Sequence, residues 1–220
     1  LAPAFHAAVF ADAAEDRAAL NLGGIANLSF LPRDGAVTGF DSGPGNCLLD
    51  LWAARHLGKS HDADGAWASG GQPVPALLER LLAAPYFAVP PPKSTGRDLF
   101  NTAWLEGMLT GGEEPQAVQA TLLELTARSV ADALARHGRG ARRVIVCGGG
   151  ARNGALMRRL AGLVAPAALE PSDRHGIDPQ LVEATAFAWL AKCALEEAPG
   201  NLPAVTGARG PRVLGAVYPP

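Results

Sequence analysis

The sequence predicts an α/β fold: a mixed sheet flanked by helices, with a helical and loop insertion. Three observations point there. Short strand-like runs crowd the segment from Leu20 to Phe40, and turn residues separate them. From Pro115 onward, helical periodicity alternates with short apolar runs such as Val144-Ile145-Val146-Cys147. Glycine clusters stand where those runs end, at Gly23-Gly24 and at Gly148-Gly149-Gly150. Strands that alternate with helices build layered sheets.

The elements follow in order. Residues 1–19 are alanine-rich and carry no clear period, so they are expected to be a linker or the remnant of a preceding domain. Two strands are expected within Leu20–Leu31, around Gly23-Gly24, and Arg33-Asp34-Gly35 marks a turn. Val37 to Phe40 reads as a third strand ending at Asp41. Ser42-Gly43-Pro44-Gly45-Asn46 reads as a tight turn, and Asn46 stands at the capping position of a helix from Cys47 to Leu57. Residues 58–115 are rich in Gly and Pro and are expected to be an insertion, with short helices over 75–82 and 96–109. Pro115 suits a first helical turn, and Val118, Leu122, Leu125, Ser129 and Ala133 continue the helical spacing to a stop at Gly138. A strand over 144–147, a helix from about Asn153 to Leu163, a strand over 167–170 and a helix from Asp178 to about Leu195 complete the pattern, before a Pro/Gly-rich tail. Three antiparallel strands that lead into βα units form a ribonuclease-H-like arrangement, expected here over residues 20–220.

Composition narrows the function. The chain has 220 residues, of which 48% are apolar and 18% charged, as in globular domains. A net charge of −2 argues against duplex DNA or an anionic membrane as partner. Cys47, Cys147 and Cys193 are far apart in apolar runs, with no zinc spacing, so buried reduced thiols in a cytoplasmic protein are expected. No apolar run is long enough to span a membrane, and the first residues lack the basic start of a signal peptide.

Several residues could carry chemistry. Asp41 closes a strand before a glycine-rich turn and a helix, where ligands of open α/β sheets bind. A carboxylate there could take a proton from an attacking water, or it could simply make an Asx-turn. Gly148 to Gly150 join a strand to a helix, as nucleotide-binding turns do; close packing would also favour glycine. A dinucleotide fingerprint fails at its third glycine, where Asn153 stands, although Glu170 lies where a ribose-binding acid would. Lys93-Ser94-Thr95-Gly96-Arg97 lacks the glycines of a P-loop, and could hold an anion or cap a helix. Glu183 shares a helical stripe with Phe187, Leu190 and Ala194, where a buried carboxylate would need a partner; it also lies in a first helical turn, which favours negative charge. His61-Asp62-Ala63-Asp64-Gly65 lacks the remaining ligands of a calcium loop.

Taken together, the segments resemble the anhydro-N-acetylmuramic acid kinases. The resemblance is carried by Leu20-Asn-Leu-Gly-Gly-Ile-Ala-Asn-Leu28, Gly39-Phe-Asp-Ser-Gly-Pro-Gly-Asn46, Asp64-Gly-Ala-Trp67, Pro91-Pro-Lys-Ser-Thr-Gly-Arg97, Val146-Cys-Gly-Gly-Gly-Ala-Arg-Asn153, Asp178-Pro-Gln-Leu-Val-Glu183 with Ala-Thr-Ala-Phe-Ala-Trp189, and Asn201-Leu-Pro-Ala-Val-Thr-Gly207. It implies the actin/hexokinase-like ATPase fold and a kinase that opens the 1,6-anhydro ring and phosphorylates the 6-oxygen, in peptidoglycan recycling. It also implies ATP with Mg2+, an amino sugar as substrate, and a homodimer. By the same resemblance Asp41 matches the base that activates water. Gly148, Gly149, Gly150 and Asn153 match the nucleotide side, Gly23 and Gly24 a second phosphate-side turn, and Glu183 an acid at the sugar site. No metal ligand is implied. Nothing here matches the family's Gly-Thr-Ser-Leu-Asp-Gly-like phosphate loop, so the first of two ribonuclease-H-like domains is expected to be largely missing, and the chain by itself weak or inactive. A non-catalytic sugar- or nucleotide-binding or dimerisation module is the alternative.

Overall fold

In a computed structural model, residues 1–138 and 140–218 are described. A five-stranded sheet runs in the order β3-β2-β1-β4-β5. β1 (Arg17–Leu22), β2 (Ile25–Leu31) and β3 (Thr38–Pro44) form an antiparallel meander. β4 (Arg143–Cys147) and β5 (Ala168–Pro171) add in parallel beyond β1. The sheet is thus mixed, as the sequence predicts.

Helices cover both faces. On one side the long α7 (Pro115–His137) lies with α2 (Cys47–Leu57) and α8 (Gly154–Val164). Its Val118, Leu122, Leu125 and Val130 are buried against Leu20, Leu28, Phe40 and Val146. Each such side chain contributes about 2 kcal/mol through removal from water. On the other side α1 (Ala2–Phe10) and α9 (Val182–Leu195) pack over Ala19, Leu31, Ile145 and Cys147 through Phe5, Phe10 and Val182. All three cysteines are buried and unpaired.

Residues 58–115 hold four short helices, α3 (Ala66–Ser69), α4 (Pro75–Leu82), α5 (Pro85–Ala88) and α6 (Thr102–Met108). Buried Leu77, Leu78 and Leu81 bring α4 into the main core. The tail carries a last short helix, α10 (Pro203–Thr206).

Several boundaries differ from the expected ones. Residues 1–19 contain α1 and the start of β1, three residues ahead of Leu20. β3 does not stop at Asp41: a bulge at Ala26/Asn27 lets Gly43 and Pro44 go on pairing with Ala26 and Ile25. Pro44 is tolerated because β3 is an edge strand. The last long helix starts at Val182, not Asp178. Asp178 Oδ1 accepts from Gln180 N, and Pro179 O accepts from Gly148 N, so this stretch is a turn engaged elsewhere. The helix expected from Gly96 starts at Thr102, because Leu99 N and Phe100 N fold back onto Gly96 O and Asn101 caps Trp104 N.

One ion cluster ties α7 to α8. The Glu124 carboxylate, 8% exposed, accepts from Arg128 Nε and from Arg159 Nε and Nη2, each at 2.6 Å. The Arg159 hydrogen bond holds this carboxyl below its usual range. Its stabilisation is therefore present above the ordinary glutamate pKa and lost as pH falls through the lowered one. Both arginines reach water, so Glu124→Ala is expected to cost only about 1–2 kcal/mol. Urea unfolding at neutral pH should show a lower midpoint with an unchanged slope.

Candidate functional site

The sequence-predicted residues converge at one end of the sheet. Cross-strand register sets Asp41 on β3 beside Asn27 on β2, Asn27 beside Asn21 on β1, and Asn21 beside Cys147 on β4. Partners in register point to one face. That face is the one covered by α1 and α9, since Phe40, next to Asp41, packs into the opposite core.

A cavity of about 420 Å³ opens where this row meets the strand ends. Asn21, Asn27, Gly23, Gly148 and Gly149 form its floor, α1 supplies Phe5 and His6, and α9 supplies Val182, Glu183 and Phe187. Gly23, Gly148, Gly149 and Glu183 thus share one cavity. Gly24, Gly150 and Asn153 do not line it. Gly24 lies under the guanidinium of Arg97, whose Nη2 would stand 3.2 Å from a Cβ there. Gly150 packs on Leu22, and Asn153 caps α8 by accepting from Leu156 N.

Asp41 lies beside the cavity floor through Asn27 rather than among the lining side chains. The segment after Lys93 runs along the outer edge of β3. Asp41 N donates to Lys93 O, Thr95 N donates to Asp41 Oδ2 at 2.9 Å, and Tyr86 Oη donates to Asp41 O at 2.6 Å. Burial raises the Asp41 carboxyl above its usual range, and the Thr95 N–H works against that shift. Thr95 Oγ1 is itself buried with no hydrogen-bond partner among the described residues.

The first residues of α2 and α8 make contacts within the chain. At the start of α2, Asn46 N and Cys47 N donate to Gly23 O and Gly24 O. Asn46 precedes α2 but makes no side-chain cap; its Nδ2 donates to Leu22 O and braces the glycine turn. At the start of α8, Asp64 Oδ1 accepts from Gly154 N at 2.8 Å. The N–H of Gly149 has no acceptor among the described residues and adjoins the cavity.

Glu183 is exposed, and Phe187 is 66% exposed. The stripe that α9 buries is Val182, Ala186, Trp189 and Cys193, one residue around from the expected one. Glu183 therefore needs no buried partner; it edges the cavity from the first turn of α9. Glu170 pairs with Arg143 and His175, which leaves no free acid for a dinucleotide ribose.

Sequence reasoning did not single out Asn21, Asn27 or His6. Thr95 and Arg97 were visible only as members of a polar cluster. Alternation along β1 and β2 could have shown that the two asparagines share the Asp41 face.

The family model described as anhydro-N-acetylmuramic acid kinase matches residues 1–220. A protein of that name from Xanthomonas campestris pv. campestris (strain 8004) is 59% identical over 220 residues, 100% of this chain and 58% of its own length. Another, from Nitrosospira multiformis, is 52% identical over 219 residues, covering 100% of this chain and 60% of its own. The chain therefore spans about three fifths of the length of these relatives. Among solved structures, the activator of the 2-hydroxyisocaproyl-CoA dehydratase from Clostridium difficile with bound ADPNP superposes with a TM-score of 0.52 at 19% identity, over 91% of this chain and 69% of that one. Xylulose kinase from Rhodospirillum rubrum gives 0.51 at 19% identity, over 87% and 40%. These distant likenesses show that the chain shares the fold of those two proteins. Matched along its whole length, this chain belongs to the anhydro-N-acetylmuramic acid kinase family.

Proposed function

We propose that this chain forms one wall of the cleft of an ATP-dependent kinase that opens 1,6-anhydro-N-acetylmuramic acid and phosphorylates its 6-oxygen, as a step of peptidoglycan recycling. The observation that carries the reading is the row Asp41–Asn27–Asn21, which sets a half-buried carboxylate beside a glycine-floored cavity. Family membership supplies the substrate class. In this reading the described residues form the C-terminal ribonuclease-H-like domain, with α1 packed on its sheet and residues 58–115 inserted. The protein acts in the cytoplasm as a homodimer.

Each residue has a task. Asp41 takes a proton from the water that attacks the anomeric carbon. As that carbon–oxygen bond forms, the bond from the anomeric carbon to the bridging oxygen breaks. The bridging oxygen remains on carbon 6 and bonds to the γ-phosphorus of ATP, from which ADP departs. Thr95 N–H fixes the Asp41 carboxylate, and its unpartnered hydroxyl fits a polar group brought to the same place. Gly23, Gly148 and Gly149 suit the phosphate chain, because a glycine lets backbone approach a ligand and the Gly149 N–H is free. Gly24, Gly150 and Asn153 hold those turns in place. Glu183 faces the sugar. Mg2+ typically binds through substrate phosphates with one or two carboxylates, and that suits a wall with few acids. The ion would offset phosphate charge during transfer.

The test is to incubate the chain with Mg-ATP and the anhydro sugar and follow the sugar by mass spectrometry. A ring-opened, 6-phosphorylated product is expected, from the chain by itself or on joining the segment that the longer relatives carry. Sugar or nucleotide binding with no turnover in either form would replace the kinase by a binding module. The pH profile gives a second check. A base with a raised pKa loses its ionised form early, so the rate should fall on the acid side at a pH above the ordinary aspartate value of 3.8.

A further inference from the structure

We propose that His6 is a substrate-contacting residue whose free ring nitrogen, Nε2, hydrogen-bonds a hydroxyl of the sugar. This rests on the sugar-kinase reading above and deepens it.

The imidazole is built into the cavity wall. His6 is only 2% exposed, and its Nδ1 lies 2.8 Å from Ser29 Oγ, a hydroxyl that is itself fully buried. Ser29 stands two residues after Asn27 on β2, so both side chains leave the same face of the sheet. The rings of Phe5 and Phe10 lie 6.3 and 6.0 Å away and hold the imidazole in place. Among the described residues Nε2 has no hydrogen-bond partner, and it is not fully sealed from solvent either. His6 also lines the cavity that holds Asn21, Asn27, Gly23 and Glu183.

The chemistry selects a hydroxyl. Burial drops the His6 pKa to about 4, so the ring is neutral near pH 7 and offers no charge to a phosphate or carboxylate. Ser29 can donate to Nδ1 or accept from it, which leaves Nε2 as a donor or an acceptor respectively. A hydroxyl serves both cases because it donates and accepts. The side-chain amides of Asn21 and Asn27 extend the same neutral polar floor. The floor suits a sugar, whereas the glycine turns beside it suit phosphates.

The test follows 1,6-anhydro-N-acetylmuramic acid binding to the chain by calorimetry, and the His6 ring nitrogens by NMR on 15N-histidine-labelled protein. His6→Phe keeps an aromatic ring and removes the nitrogen; Ser29→Ala frees the ring. Loss of one neutral hydrogen bond should weaken sugar binding about tenfold in His6→Phe, with ATP binding unchanged. In the unmutated chain, sugar should shift the Nε2 signal and leave Nδ1 nearly still. Sugar binding that leaves both ring signals in place, or that His6→Phe does not weaken, would overturn the assignment while the kinase reading stands. Absence of any sugar binding, both to the unmutated chain and to the chain joined to the segment that the longer relatives carry, would overturn both. The NMR result decides the matter even if the variant fails to fold.

Discussion

Replacing Asp41 by Asn should lower the rate of sugar phosphorylation by about 10²–10⁴-fold, the range for loss of a positioned general base. Asn keeps the shape and one carbonyl oxygen, so the Thr95 N–H can still donate to the side chain, and the Tyr86 hydroxyl bond to the backbone is untouched. The substitution removes the unit that can take a proton and little else. It also removes a carboxylate whose burial already disfavours its charge, so stability should hold or rise slightly. Steady-state kinetics with Mg-ATP and the anhydro sugar would read the change in turnover, and calorimetry with ATP would read nucleotide affinity. A fall in turnover with nucleotide affinity within about twofold of the unmutated protein is the expected pattern. Equal turnover in the variant would remove Asp41 from the chemistry and leave it as a brace for the segment from Lys93 to Thr95.

The sequence shows some of this clearly and hides the rest for physical reasons. α7 and β4 are legible because Pro115, the spacing of Val118, Leu122 and Leu125, and the run Val144–Cys147 are local signals. α1 is not legible, because alanines on every side give no period, and its packing rests on Phe5, His6 and Phe10 meeting other parts of the chain. The end of β3 was misplaced because Gly43-Pro44-Gly45 reads locally as a breaker, yet an edge strand does not need the missing N–H of Pro44. Asp41 stands out by its neighbours in sequence, whereas the residue that holds its carboxylate, Thr95, is 54 positions away. No spacing rule reaches that far. The stripe Glu183–Phe187–Leu190 has a convincing helical period, but the period does not tell which stripe the sheet will cover. Val182, Ala186, Trp189 and Cys193 have one equally good; the first three pack with Phe5 and Cys147, and Cys193 is buried further along.

The three consecutive glycines pose a sharper question, whether they serve the fold or a ligand, and the structure separates them. Gly148 has φ +83° and ψ 175°, a region essentially confined to glycine, and an added Cβ would stand 2.4 Å from Asn21 Oδ1 and 2.8 Å from Leu22 O. Gly148→Ala must therefore strain the backbone and push on β1, and about 3 kcal/mol or more of stability should be lost. Gly149 differs. Its φ is not positive, it begins a 3₁₀ turn, and the nearest atom to an added Cβ is Asn46 Nδ2 at 3.7 Å, an ordinary contact. Gly149→Ala should leave stability within about 0.5 kcal/mol, as for a substitution that touches no special feature. Nothing among the described residues demands glycine there. If phosphates approach that backbone, Gly149→Ala should weaken ATP binding by tenfold or more, roughly the loss of one charge-assisted hydrogen bond. Urea unfolding of both variants beside ATP calorimetry on Gly149→Ala makes the distinction. A variant at 149 that keeps both its stability and its nucleotide affinity would show that the phosphates lie elsewhere along the cleft, with Gly23 the next glycine of the same cavity to test.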